Sequence, residues 1–486
     1  MNEQKRFLNY IGGQWKEPST HKYYPNINPA NEADVIGEFP LSAPEDMDAA
    51  VKAAHEAFPA WSRLTGQERG KYLQKLIDLI GENKQRIGEA ICREMGKTLK
   101  EAIAEPTRSG VEISYAMGEA IRLEGITQPS NRKGVTSVAS RVPLGVVAAI
   151  SPWNFPFMTP IRKMIPALAA GNTIVSKPAS DTPWSSVILF ELFDKAGFPP
   201  GVVNLVIGRG SEIGDALSSN PLVRGISFTG STWVGEGISS HCAKNFVKLQ
   251  LEMGGKNPVI VAEYKNLDAA GKEIASNAYA LAGQRCTAIS RVIVLENEAD
   301  ELIAAISKYS QQYVLGDGTD PKVNIGPIIN RKAGQQILDY IAGAVREGAT
   351  LHTGTGKALA GGVFDKGMFI GPTLLTDVTP EMTIAREEVF GPVLVVIRVK
   401  SMEEAVRVAN HTEYGLSAAI FTDNMKYVHM FLENVEAGNM HVNHGTVTDD
   451  IMPFGGVKRS GLGAFSKGHT NLDFFTNFRV KYINWE

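Results

Sequence analysis

Between residues 145 and 262 the chain keeps repeating one pattern: a short β-branched run, a glycine or proline break, and a helical segment. The runs read "GVVAAIS", "NTIVSKP", "VVNLVIG", "GISFTG", "VKLQLEMGG" and "NPVIVA". Strands that alternate with helices build a parallel sheet covered on both faces, so this rhythm predicts an α/β architecture. Further runs, "SRVIVL" (290–295), "VLVVIRV" (393–399) and "NMHVN" (439–443), supply a second α/β unit after about residue 255. A chain of 486 residues has room for two to four domains at roughly 100–200 residues each.

Upstream of this rhythm the spacing becomes helical. Residues 42–58 carry a Ser42–Glu45 capping box, an early Pro44 and apolar residues at Met47, Ala50, Val51, Ala54 and Phe58, which predicts an amphipathic helix. A second helical stretch over 70–102 places Leu73, Leu76, Ile77 and Ile80 on one stripe, with Cys92 as a packed thiol in its continuation. Two segments fit neither rhythm: "VTSVASRV" (135–142) and the tail "FTNFRVKYINW" alternate like strands. Such strands either pair with each other, join another subunit, or serve as ordinary sheet edges.

The formal net charge of -3 provides no global basic field and argues against nucleic-acid or membrane-surface partners. Three cysteines, Cys92, Cys242 and Cys286, fit a reducing compartment better than a disulfide framework. The opening "MNEQKRFLNY" lacks the apolar core of a signal peptide, and no run of 18 apolar residues occurs, so a soluble cytoplasmic protein is expected.

The chemistry narrows by elimination. HExxH, GxxxxGK[ST], GxSxG and a properly spaced GxGxxG are all missing, although "GRGSEIG" (208–214) comes near the last. "FTGSTWVG" (228–235) is a glycine turn between a β-type run and a helix, which is either a phosphate cradle or a tight turn with a helix cap. Cys286 in "GQRCTA" is either a structural thiol or a nucleophile whose thiolate Arg285 favours. Glu252, at the end of an apolar run before two glycines, is the natural general base if Cys286 is the nucleophile. Asn154 in "SPWNFPFMTPIRK" follows a strand end, where its amide can serve a developing oxyanion or simply form a turn.

Taken together, "PWNFP", "GNTIVSKPAS", "FTGSTWVG", "LEMGGKNPVIV", "GQRCTA", "EEVFGPV" and "MPFGGVKRSGLG" resemble the aldehyde dehydrogenase superfamily, in the family's order and over nearly the whole chain. The resemblance implies a Rossmann-like cofactor domain (1–131 and 149–253), an α/β catalytic domain (254–464) and a β oligomerisation arm (132–148 and 465–486) joining a homodimer or homotetramer. It further implies that Cys286 attacks an aldehyde, that Asn154 and the Cys286 N–H hold the oxyanion, and that Glu252 activates water. Trp153, Lys177, Ser180, Gly230, Ser231, Glu388 and Phe390 would serve the dinucleotide, and no metal is implied.

At "KPAS", Ser180 stands where NAD-selective members carry a glutamate, so NADP is expected to be preferred, with NAD accepted. Arg162 matches the arginine that semialdehyde dehydrogenases of the succinate semialdehyde type keep for the substrate carboxylate. Arg285 and Arg108 instead resemble positions of non-phosphorylating glyceraldehyde-3-phosphate dehydrogenases, and His444 is a further polar contact in the expected substrate mouth. Ala288 replaces the second cysteine of a redox pair. The common denominator is a short aldehyde bearing carboxylate, sulfonate or phosphate. A CoA-acylating enzyme and a non-catalytic protein that kept the fold are the competing readings.

Overall fold

The computed structural model describes residues 5–486. Val146–Ile150, Thr173–Lys177 and Val203–Leu205 lie side by side and parallel, and Val223–Thr229 and Lys248–Glu252 extend the same sheet from the other side of Val146–Ile150. Antiparallel strands complete its edges, Asn9–Ile11 and Gln14–Lys16 at one and Gly461–Leu462 at the other. The order of the five parallel strands reverses at Val146–Ile150. In doubly wound sheets, ligands bind beyond the carboxyl ends of the strands at such a reversal.

Helices cover both faces, which explains the unbroken apolar runs. Val147 and Ala149 pack among Leu189, Phe190 and Phe193 on one face, while Val146, Ala148 and Ile150 pack among Met47, Val51 and Ile213 on the other. A second, seven-stranded sheet runs in the order Thr350–Thr353, Thr373–Thr376, Val393–Val399, Ile289–Leu295, Asn257–Val261, Ser417–Phe421 and Asn439–Val442. Only Thr350–Thr353 is antiparallel to its neighbour. This sheet has its own core, built around Val259, Ile293, Val395 and Ile420.

The two strands outside the rhythm pair with each other. Thr476–Asn484 runs antiparallel to Val135–Pro143 from Thr476↔Pro143 to Asn484↔Val135, and Gly125–Gln128 flanks the latter on its far side.

Two local expectations need correction. The first helix, Pro44–Arg63, is capped at Ala43 rather than through Ser42 and Glu45. Asp46 accepts from the Ala43 N–H at 3.0 Å and the Ser19 N–H at 2.9 Å, and the Ser42 hydroxyl is occupied by Asn9 at 2.8 Å. The stretch 70–102 belongs to two helices, because Gly66–Met95 ends at Gly96 in the left-handed region and Leu99–Ala120 begins anew.

Candidate active site

Cys286 precedes the strand Ile289–Leu295, and its position depends on an unusual piece of backbone. Leu281 and Ala282 hold φ of 54° each and Gly283 follows at 69°. Successive left-handed residues cost about 1–3 kcal/mol each and persist only where the surroundings over-determine them. Here they are over-determined. A Cβ on Gly283 would lie 2.1 Å from the Gly391 carbonyl. Gln284, buried, donates to Leu281 O and Pro327 O at 3.1 Å each and accepts from Ile329 N at 2.9 Å. Asn257 donates to the Cys286 and Ala288 carbonyls at 2.7 and 2.9 Å.

The first sheet supplies the opposite wall. Trp153 and Asn154 follow Val146–Ile150, Gly230 and Ser231 follow Val223–Thr229, and Lys177 and Glu252 end their own strands. Gly254, Cys286, Glu388 and Phe390 precede strands of the second sheet. Between these edges lies a cavity of about 1110 Å³. That exceeds the usual 300–1,000 Å³ of a single small-molecule pocket and suits a dinucleotide with a second small ligand.

Asn154 bridges the walls: its buried amide donates to Gln284 O at 3.0 Å, and the second N–H of the same nitrogen remains for a ligand. Glu252 is buried, with its Oε1 unpartnered and both Thr229 and the Cys286 thiol within hydrogen-bonding reach. Burial raises its pKa above the usual carboxylate range, opposed by Lys163, Thr229 and Arg162. Burial also pushes the Cys286 thiol well above its ordinary value, and the charge of Glu252 and its hydrogen bond add to this. Arg162 opposes this rise most among the cations, and Arg285 also attracts the thiolate, in line with the expectation that it favours the charged sulfur. Glu252, in its carboxylate form, is placed to take the thiol proton.

On the dinucleotide side, the Trp153 and Phe390 rings meet edge-on at 5.5 Å, Phe390 at φ 54°. Glu388 accepts from Gly255 N at 2.9 Å and burial pushes it up to about 7. A Cβ on Gly254 would stand 2.3 Å from Glu388 Oε2, so glycine is what lets that carboxylate in. Lys177 reaches the cavity, is brought down to about 8 by burial, and donates only to Pro178 O at 3.2 Å. The Gly230 N–H is already donated to Glu252 O at 3.1 Å, so Gly230 contributes space. Ser231 caps the helix Thr232–Ala243, whose first-turn N–H groups have no intrahelical partner. Ser180 lies off the cavity wall, its hydroxyl donating to Gly208 O at 3.1 Å, and Gly210, beside the Lys177 ammonium, and Ser211 line the cavity instead.

The three arginines all line the cavity but differ in company. Arg162 is paired with Glu112 at 2.9 Å, and Arg108 Nε donates to Asp450 at 2.8 Å. Among the described residues Arg285 has no carboxylate partner: Nη2 donates to Asn277 O at 2.7 Å and its buried Nε–H goes unused. His444 is exposed and lies outside the cavity, its ring edge-on to His441 at 4.9 Å, because the loop after Asn439–Val442 turns that side chain outward.

Lys163 was not expected. It is buried, donates to Ser227 Oγ at 3.3 Å, and acts electrostatically on Glu252. Two adjacent cations inside the apolar helix Met158–Ala169 were the available signal. Gln284 and Asn257 were passed over as ordinary polar residues, since their roles consist entirely of contacts with distant backbone.

Residues 15–481 match the profile of the Aldehyde dehydrogenase family. The chain belongs to the aldehyde dehydrogenase family. It is 40% identical over 484 residues to alpha-ketoglutaric semialdehyde dehydrogenase of Bacillus subtilis strain 168, covering 99% of each chain. It is 38% identical to the NADP-dependent succinate-semialdehyde dehydrogenase GabD of Escherichia coli strain K12, covering 97% of this chain and 96% of that one. The solved structure of 3,6-anhydro-L-galactose dehydrogenase in complex with NAP superposes with a TM-score of 0.96 at 35% identity, covering 99% of this chain and 100% of the other. This aldehyde dehydrogenase is therefore an oxidoreductase enzyme using NAD(P). Among the described residues no helix is long and apolar enough to cross a membrane.

Proposed function

We propose that this aldehyde dehydrogenase oxidises a short anionic semialdehyde to the corresponding acid, with Cys286 as nucleophile. The observation that carries the reading is the convergence of the Cys286 thiol, the Glu252 carboxylate and the free Asn154 N–H on one cavity, beside Arg285, the one of its three arginines with no carboxylate partner among the described residues. Glu252 takes the thiol proton as sulfur bonds to the aldehyde carbon. The Asn154 amide and the Cys286 N–H hold the oxyanion of the tetrahedral adduct. NAD(P)+, when bound, accepts the hydride released as that adduct becomes a thioester. Glu252 releases that proton to solvent and then takes one from water; the hydroxide adds to the thioester carbon, the carbon–sulfur bond breaks to free the acid, and the Cys286 thiolate recovers a proton from Glu252. The unpartnered Glu252 Oε1 supports water over CoA as acyl acceptor.

The cavity fits the dinucleotide: Lys177 has donors to spare, Gly254 leaves room beside Glu388, and Trp153 and Phe390 offer a ring edge and face. NADP is the preferred form, since Ser180 brings no negative charge near Lys177. The cofactor part spans 1–131 and 149–253, the catalytic part 254–464, and the arm 132–148 and 465–486. Exposed Val480, Tyr482 and Trp485 on that arm support a homodimer or homotetramer.

A panel of three- to five-carbon aldehydes with and without an anionic tail, assayed with NAD, NADP and added CoA, tests the reading. Cys286→Ala is expected to abolish oxidation. Oxidation retained in that variant, or an uncharged aldehyde outperforming every anionic one, refutes it.

A further inference from the structure

Asn154 and the Cys286 loop come from different sheets, yet both are tied to one stretch of chain, Lys97–Glu105. Gly96 ends the preceding helix at φ 87°, and Lys97 enters the interior in the turn that follows. Its ammonium donates to Glu105 Oε1 and to the Asn154 carbonyl, each at 2.6 Å, and lies 4.3 Å from the Phe155 ring centre. Glu105 Oε2 accepts from Phe157 N at 3.1 Å and Met158 N at 2.9 Å, where the helix Met158–Ala169 begins. The two side chains are 0% and 2% exposed. The loop from Asn154 to Met158 is therefore held at its start by the ammonium and at its end by the carboxylate.

The same helical turn reaches the thiol loop. Glu101 caps its own helix through Oε2, which accepts from Thr98 N at 3.0 Å, and its Oε1 accepts from Leu281 N at 3.2 Å. Leu281 is the first of the left-handed residues that aim Cys286.

We infer that Lys97, Glu105 and Glu101 are positioning residues that set the distance and angle between the Asn154 amide and Cys286. A buried ion pair adds little stability over an apolar pair of the same volume, so stability alone does not account for it. What it adds is direction: an ammonium fixes the plane of the Asn154 peptide, and with it the amide that the proposed mechanism aims at the oxyanion. The inference rests on that mechanism.

The test is a cycle between Lys97→Met/Glu105→Gln, which removes both charges but keeps an acceptor for Phe157 and Met158, and Asn154→Ala. Misplacing one oxyanion donor predicts a fall in kcat of about 10–100-fold. KM for the aldehyde and the NAD(P) dissociation constant, read by fluorescence, are expected to stay within about twofold, because the contact matters in the transition state. In the Asn154→Ala background the further loss is expected to shrink to less than about twofold. If the double variant does not fold, Glu105→Gln alone enters the same cycle, with a smaller loss that cancels in the same way. Losses that multiply across the two backgrounds, or a change confined to KM, overturn the inference. Wild-type oxidation in Cys286→Ala or Asn154→Ala would instead refute the mechanism on which it stands.

Discussion

Replacing Arg285 by methionine separates the three arginines of the cavity by chemistry. The guanidinium carries five N–H donors; one goes to Asn277 O, and Nε–H is buried with no acceptor. A carboxylate, sulfonate or phosphate tail that takes two of the remaining terminal N–H groups makes a bidentate pair. Two charge-assisted hydrogen bonds at a lower bound of about 1.5 kcal/mol each amount to about 3 kcal/mol, or roughly 100-fold in kcat/KM. Methionine keeps the apolar stem, so an uncharged aldehyde of equal length should be oxidised within about twofold of the parent rate. Arg162→Met should behave differently. It strands Glu112, whose side chain is 7% exposed, without its cation, and a buried pair broken from one side costs about 3–5 kcal/mol of stability. The assay is kcat/KM for an anionic and a neutral aldehyde of the same length, with thermal unfolding of both variants. If Arg285→Met lowers both substrates equally, or if Arg162→Met shows the selective loss with its melting temperature unchanged, the assignment of the free cation is wrong.

Because burial raises both Glu252 and Cys286, each holds its proton to higher pH than the free group would. The rate should therefore climb with pH above the ordinary carboxylate range, and a pH–kcat/KM profile already flat in the acid range would contradict that. Gly283→Ala forces alanine into the left-handed region with its Cβ 2.1 Å from Gly391 O. A destabilisation of about 2–4 kcal/mol is expected, read by thermal unfolding. Gly254→Ala presses on Glu388 Oε2 and should weaken NAD(P) binding, read by cofactor fluorescence, with little change in melting temperature. Ser211→Glu, on the cavity wall that Lys177 also lines, should reduce kcat/KM with NADP more than with NAD, because it adds a negative charge that repels a 2′-phosphate.

Much of the fold is legible in the sequence. The runs 146–150, 173–177, 223–229 and 248–252 declare themselves because burial on both faces demands continuous apolar side chains, and that demand is local. Cys286, Glu252 and Asn154 were legible too, because each sits where a strand meets a glycine- or proline-rich turn. The helix start lies one residue later than the pattern suggests: the pair Ala43–Asp46 takes the place of Ser42–Glu45, while Asn9, from a distant strand, holds the Ser42 hydroxyl.

The residue sequence alone determined which segments become strands and which turns bring chemistry to their ends, since both follow from side-chain period and backbone freedom. Only the tertiary structure decided how the charges are shared. Arg162 meets Glu112 from 50 residues away and Arg108 meets Asp450 from 342, which leaves Arg285, of the three cavity arginines, without a counter-ion among the described residues. Electrostatic pairing depends on distance in space and on desolvation, and neither is encoded in the spacing of residues along a chain.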